Sequence, residues 1–174
     1  IRDSERTTSG QPSRSTSTVL MARFIGDSSF AALVHEDGAI EFNHSRAAYA
    51  NDEAAHLAKW SPVDNRLATA CYDRKVRIWE PGSPEPVLVL QGATQRITHL
   101  AWNREGTRIA IADGKTLRVW AADSGELVSG IGSGTKIFAW HPDGSKLAVQ
   151  SETFHDGEST SRIRICLLYT SPSP

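Results

Sequence analysis

The chain has 174 residues, 39% of them hydrophobic, which is enough for one compact domain with its own core. Its 19 Lys+Arg and 20 Asp+Glu nearly cancel, and a formal net charge of −1 provides no overall basic field, so no nucleic-acid partner is expected. No apolar run approaches the roughly 20 residues of a spanning helix, and Cys71 and Cys166 are too few for a disulfide framework, so the expectation is no membrane insertion and an intracellular site, cytoplasm or nucleus.

In chain order, residues 1–18 are rich in Ser, Thr and Arg, nearly lack apolar side chains, and read as a disordered linker. From Val19 onward a unit of about 40 residues recurs. Its first, degenerate copy runs from Phe24 through Asp37 to Ile40 and Phe42. The second is explicit: Trp60-Ser61-Pro62, then Leu67-Ala68-Thr69-Ala70, Asp73, and Val76-Arg77-Ile78-Trp79. The third runs from Trp102 through Ile109-Ala110 to Leu117-Arg118-Val119-Trp120, and the fourth from Trp140-His141-Pro142 to Arg162-Ile163-Arg164-Ile165. Apolar residues alternate with Arg77 and Arg118, the period of two that belongs to strands. Turn sequences separate them: Pro62-Val63-Asp64-Asn65, Arg104-Glu105-Gly106 and Pro142-Asp143-Gly144. Val87–Leu90 and Leu127–Val128 supply outer fourth strands. A lone sheet of this kind is apolar on both faces and must be sandwiched between like neighbours, as the blade of a propeller is.

The spacing of Trp-Ser-Pro, Leu-Ala-Thr-Ala, Asp and Val-Arg-Ile-Trp resembles the WD-repeat family. That resemblance implies an all-β fold, a partial WD-repeat β-propeller of about four blades with four antiparallel strands each, from a propeller of seven. The blades are expected near residues 19–50, 55–90, 97–129 and 135–166, within a propeller region of residues 19–166. Residues 167–174 leave the pattern, resemble a translated sequencing-adaptor read-through, and are expected to be a non-native or linker tail. Family repeats carry a Gly-His pair before the leading Trp, whose His joins a Ser/Thr, the turn Asp and the closing Trp in one hydrogen-bond network. Here Ala93 and Ile131 follow Gly92 and Gly130, so Thr69, Asp73 and Trp79 are expected to form only part of it. Trp60, Trp79, Trp102, Trp120 and Trp140 fall on repeat positions and are assigned to packing. Asn43 and Cys166 stand where a closing Trp is usual.

No constellation for catalysis stands out, and neither a cofactor nor a metal is expected. His35-Glu36-Asp37 and His155-Asp156 lack the spacing of a metal site. Gly130-Ile131-Gly132-Ser133-Gly134 has no helix after it to aim amides at a phosphate, and reads as a flexible connection. The insertion at residues 151–161 lengthens one hairpin, as a solvated acidic loop or a partner-specific finger. The leading function is a non-enzymatic scaffold for proteins or peptides. The alternative is a propeller enzyme or small-ligand domain whose active groups lie on blades outside this chain. Carried over residue by residue, the resemblance places partner-facing side chains at His56, Tyr72, Arg96, Thr98 and Lys136, with Glu36 a weaker candidate. An aromatic, a guanidinium and an ammonium together suit an acidic or phosphorylated segment.

Overall fold

The computed structural model describes residues 18–25, 30–35, 39–42, 54–83, 85–132, 134–155 and 158–168. Apart from Thr18, the expected linker lies outside them, as do Glu36, Asp37 and Asn43.

Four antiparallel sheets follow one another along the chain. The first holds β1 (Val19–Ile25), β2 (Phe30–His35) and β3 (Ile40–Phe42). The second holds β4 (Ala55–Trp60), β5 (Leu67–Cys71), β6 (Val76–Trp79) and β7 (Leu88–Leu90). The third holds β8 (His99–Trp102), β9 (Arg108–Ala112), β10 (Leu117–Ala121) and β11 (Leu127–Ile131). The fourth holds β12 (Thr135–Trp140), β13 (Lys146–His155) and β14 (Glu158–Leu167). Each strand pairs with its neighbour in the chain, and no helix occurs among the described residues. The expectation of four strands per sheet is met in the middle two; the outer two have three each among the described residues.

Two expectations need correcting. Gly130 and Ile131 are ladder residues opposite Arg118 and Leu117, because a hydrogen-bonded partner strand outweighs the weak strand preference of glycine. At the other end Leu167 pairs with Lys146, and Leu168 is buried with its amide donating to the Ser145 carbonyl at 3.0 Å. Apolar side chains at these two positions continue the strand pattern whatever the origin of the residues beyond.

The first strands β1, β4, β8 and β12 adjoin in that order, as blades do around an axis. Consecutive sheets are joined by core and by tryptophan. Val76 and Ile78, fully buried, pack with Ile97 of the β7–β8 connection and with Leu100, Trp102, Ile109 and Ile111 of the third sheet. Leu117 and Val119 repeat this against Phe138, Leu147, Val149 and Leu168 of the fourth. Each side chain of this size contributes about 1.5–3 kcal/mol when fully buried. Ile163 and Ile165 hold the same register positions on β14 and are 79% and 72% exposed, because no further sheet covers that face among the described residues. The Trp102 indole N–H donates to the Lys59 carbonyl at 2.9 Å, and that of Trp140 to the Ala101 carbonyl at 3.1 Å. Each leading tryptophan thus reaches the residue just before the previous one.

Strand direction gives the sheets two ends. At one end lie the turns after β4, β6, β8 and β10. There Arg66 of the second sheet donates from Nη1 to the Ala122 carbonyl (2.6 Å), from Nη2 to the Gly106 carbonyl (2.7 Å) and from Nε to Asp64 (2.8 Å), with its guanidinium 5.2 Å from the Trp102 ring centre. At the opposite end lie the turns after β5 and β9, the β7–β8 connection, and the tip of the β13–β14 hairpin.

Candidate protein-binding site at one end of the blades

Three of the five partner-facing candidates meet at this second end, on the boundary between the second and third sheets. Tyr72 follows β5 in the turn that Asp73 closes, and Arg96 lies on the β7–β8 connection. The Arg96 guanidinium carbon sits 4.9 Å from the Tyr72 ring centre, and Nη2 donates to the Tyr72 hydroxyl at 3.4 Å. Tyr72 is 54% exposed. On β4, His56 lies against Tyr72 with ring centres 4.8 Å apart, tilted by 43°. Its Nε2 is 2.8 Å from the Ile97 carbonyl, an acceptor only, so this nitrogen carries the proton. Its Nδ1 is buried without a hydrogen-bond partner among the described residues.

The other two candidates stand apart from this stack. Thr98 is exposed, but its amide and hydroxyl both donate to the Ala112 carbonyl, at 2.8 and 3.2 Å. Beside it, His99 turns its ring edge-on to Phe138 of the fourth sheet at 6.4 Å. Lys136 is on β12, and its side chain lies outside the described residues.

The connection that presents Arg96 is held from both sides. Asp113, in the turn after β9, accepts hydrogen bonds from the amide and hydroxyl of Thr94 (2.8 and 3.1 Å), and its other oxygen accepts from the amides of Lys115 (3.0 Å) and Thr116 (2.7 Å). Burial works to raise the Asp113 carboxyl, but these donors outweigh it and hold the group well below the usual carboxylate range. From the second sheet, Arg74 donates to the Thr94 carbonyl at 3.2 Å and His56 takes the Ile97 carbonyl.

The residues assigned to packing divide into two groups. Trp79, almost wholly buried, donates to the Thr69 hydroxyl at 3.0 Å. Asp73 turns instead to Arg77 Nη2 (2.8 Å) and the Lys75 amide (3.0 Å), so the buried network is split into two halves. Trp102 is buried, and Trp60, Trp120 and Trp140 are half-buried.

Charge is segregated between the ends of the second and third sheets. At the end carrying Tyr72, the exposed charged side chains of these two sheets are, among the described residues, Arg74, Arg96 and Lys115, while Asp73 and Asp113 face inward. The other end exposes Asp64, Glu80, Glu85, Glu105, Asp123 and Glu126 against Lys59 and Arg104. Arg74, Lys115 and Asp113 were missed as site residues. Counting turns alternately along the strands would have assigned each to its end. Among the described residues no three His, Cys, Asp or Glu side chains gather to hold a metal.

The family model described as WD domain, G-beta repeat matches residues 51–80 and 84–121, which are the second sheet and most of the third. Residues 51–121 therefore carry repeats of the WD type. It is 32% identical over 114 residues to THO complex subunit 3 of Arabidopsis thaliana, covering 61% of this chain and 36% of that protein. It is 34% identical over 109 residues to Coronin-7 of Mus musculus, covering 55% of this chain and 12% of the relative. With APC/C activator protein CDH1 of Saccharomyces cerevisiae it shares 28% identity over 83 residues, covering 45% and 15%. The WD-repeat chain therefore spans about a third or less of each of these relatives. The second and third sheets are the blades that this match covers.

Proposed function

We propose that this WD-repeat chain is a non-enzymatic interaction scaffold, in the cytoplasm or nucleus, that holds protein or peptide partners at the end of its blades carrying His56, Tyr72 and Arg96, with Thr98 and Lys136 extending the surface. One observation carries the reading: an exposed tyrosine and an arginine without an acidic partner among the described residues are stacked in a fixed arrangement where two blades meet. Tyrosine and arginine supply much of the binding energy at protein interfaces, and an arginine already ordered by a ring loses less entropy on binding. The exposed cations Arg74, Arg96 and Lys115 at this end of the second and third sheets favour an acidic or phosphorylated segment. The names of the relatives, a complex subunit and an activator of a complex, agree with a partner-binding role. Both cysteines are free thiols, in keeping with a reducing compartment.

The test is affinity for a captured partner, measured with the full chain. Tyr72→Ala and Arg96→Ala are each expected to weaken binding by more than about 1 kcal/mol, whereas Glu80→Ala at the opposite end leaves it unchanged. Undiminished binding by the Tyr72→Ala/Arg96→Ala double variant rules the surface out.

A further inference from the structure

Arg74 stands where the chain's own repeat uses glycine. The turns after β5 and β9 are the same turn: Asp73 accepts from the Lys75 amide at 3.0 Å, and Asp113 from the Lys115 amide at 3.0 Å. The residue after each aspartate is left-handed, with φ of 66° at Arg74 and 81° at Gly114. Glycine adopts that conformation freely, whereas a residue with a Cβ is strained there. Arg74 is the one non-glycine residue with positive φ among the described residues. A strained position of this kind points toward function.

The side chain shows what the strain accompanies. Arg74 reaches from the turn of the second blade to the Thr94 carbonyl, while Arg96, two residues after Thr94, reaches back over Tyr72, two residues before Arg74. The two arginines lace the blade boundary in opposite directions. Each guanidinium makes one hydrogen bond, and neither has an ion pair, among the described residues. The acids of the two turns are already engaged, Asp73 by Arg77 and Asp113 by amide and hydroxyl donors. Exposed Lys115 adds a third cation on the neighbouring turn.

Resting on the binding surface proposed above, we propose that Arg74 and Arg96 form a two-armed seat for one anionic group, a phosphate monoester or a carboxylate, on an extended segment of a partner protein. Two guanidiniums offer the paired N–H donors that such oxygens accept, and neither must first leave an internal carboxylate. A nucleobase is a poorer fit. Tyr72 already carries Arg96 and lies against His56, which leaves little free aromatic face for stacking.

The experiment titrates the full chain with three glycine pentapeptides whose central residue is phosphoserine, glutamate or serine, read from the arginine side-chain N–H resonances. The phosphoserine peptide is expected to bind about ten-fold more tightly than the serine peptide, as a charge-assisted contact does. A glutamate peptide that matches it identifies a carboxylate ligand, and one that falls well short identifies a phosphate. Arg74→Gly is expected to weaken anion binding about five-fold while leaving the melting temperature equal or higher, because glycine relieves the left-handed strain. Anion binding by Arg74→Gly at the strength of the original chain overturns the seat, as does equal binding of all three peptides or equal competition by single-stranded RNA. If Tyr72→Ala and Arg96→Ala weaken partner binding while Arg74→Gly leaves anion binding intact, the surface stands without the seat. If none of the three variants alters either, the surface reading fails as well.

Discussion

At the boundary between the second and third blades, arginine is used in opposite ways at the two ends. Arg66 has its donors on two carbonyls and a carboxylate, and its side chain is 18% exposed. Arg96 is exposed, rests on a ring, and makes one hydrogen bond at 3.4 Å. The same residue type is mortar at one end and an available ligand-binding group at the other. Identity does not separate the two roles; what the surrounding backbone offers does. Arg66 faces carbonyls left over by the turns of the next blade, whereas the carbonyls near Arg96 are already taken by Arg74 and His56.

The strongest way to break this contrast is at Gly106, in the turn that Arg66 grips. Its φ is 66°, and an added Cβ would collide with Val63 and lie 2.8 Å from the Ser61 hydroxyl oxygen. Gly106→Ala is expected to cost about 3 kcal/mol by combining left-handed strain with overpacking. Urea denaturation checks this, and a loss under about 1 kcal/mol would mean that the turn yields and is no mortar. Arg66→Ala should cost about 2 kcal/mol, because two carbonyls lose a charged donor. Arg66→Lys should recover little of it, since a single ammonium cannot reproduce the planar fork.

Acid sharpens the comparison at the ligand-facing end. The Asp113 carboxyl is depressed in the folded chain by the donors of the 94–95 and 115–116 segments. A depressed folded value means that its stabilisation is present above the ordinary carboxylate value, near 4, and is lost as pH falls from there toward the folded value. The free energy of unfolding should therefore drop below about pH 4, and Asp113→Asn should flatten that slope. An unchanged slope would show that the carboxylate does not anchor the connection. The smallest effect on stability is expected from Tyr72→Ala or Arg96→Ala, under about 1 kcal/mol each, the range of an exposed cation–π contact. A larger loss in calorimetry would make the stack a second piece of mortar and erase the distinction.

Much of the architecture was legible because it repeats. Trp60, Trp102 and Trp140 mark the leading strands, and the alternation around Arg77 and Arg118 marks the third strands with their buried faces. Less legible was the glycine-rich stretch at residues 130–134, where pairing with β10 overrode local preference at Gly130 and Ile131. Of the candidate site, His56, Tyr72 and Arg96 could be named from their spacing, but Thr98 could not be seen to spend its hydroxyl on its own blade. Arg74 was passed over because a turn residue next to aspartate is ordinarily solvent-facing and without consequence. Only its sibling Gly114, with the same backbone conformation, makes the arginine conspicuous.

The sequence by itself determined the order of strands and turns and which face of each strand is apolar, since period and turn chemistry are local properties of the chain. The tertiary structure alone decided which turn residues meet across a blade boundary, and which polar groups are consumed there. A net charge of −1 conceals the separation of exposed cations from exposed acids between the two ends of the second and third sheets, among the described residues. Arg66, Arg74 and Arg96 acquire different roles only once the carbonyls and rings of the neighbouring blade are in place. Hydrogen bonds between residues 20 to 56 positions apart depend on how two sheets stack, and that stacking is set by the packing of Val76 and Ile78 against the next blade.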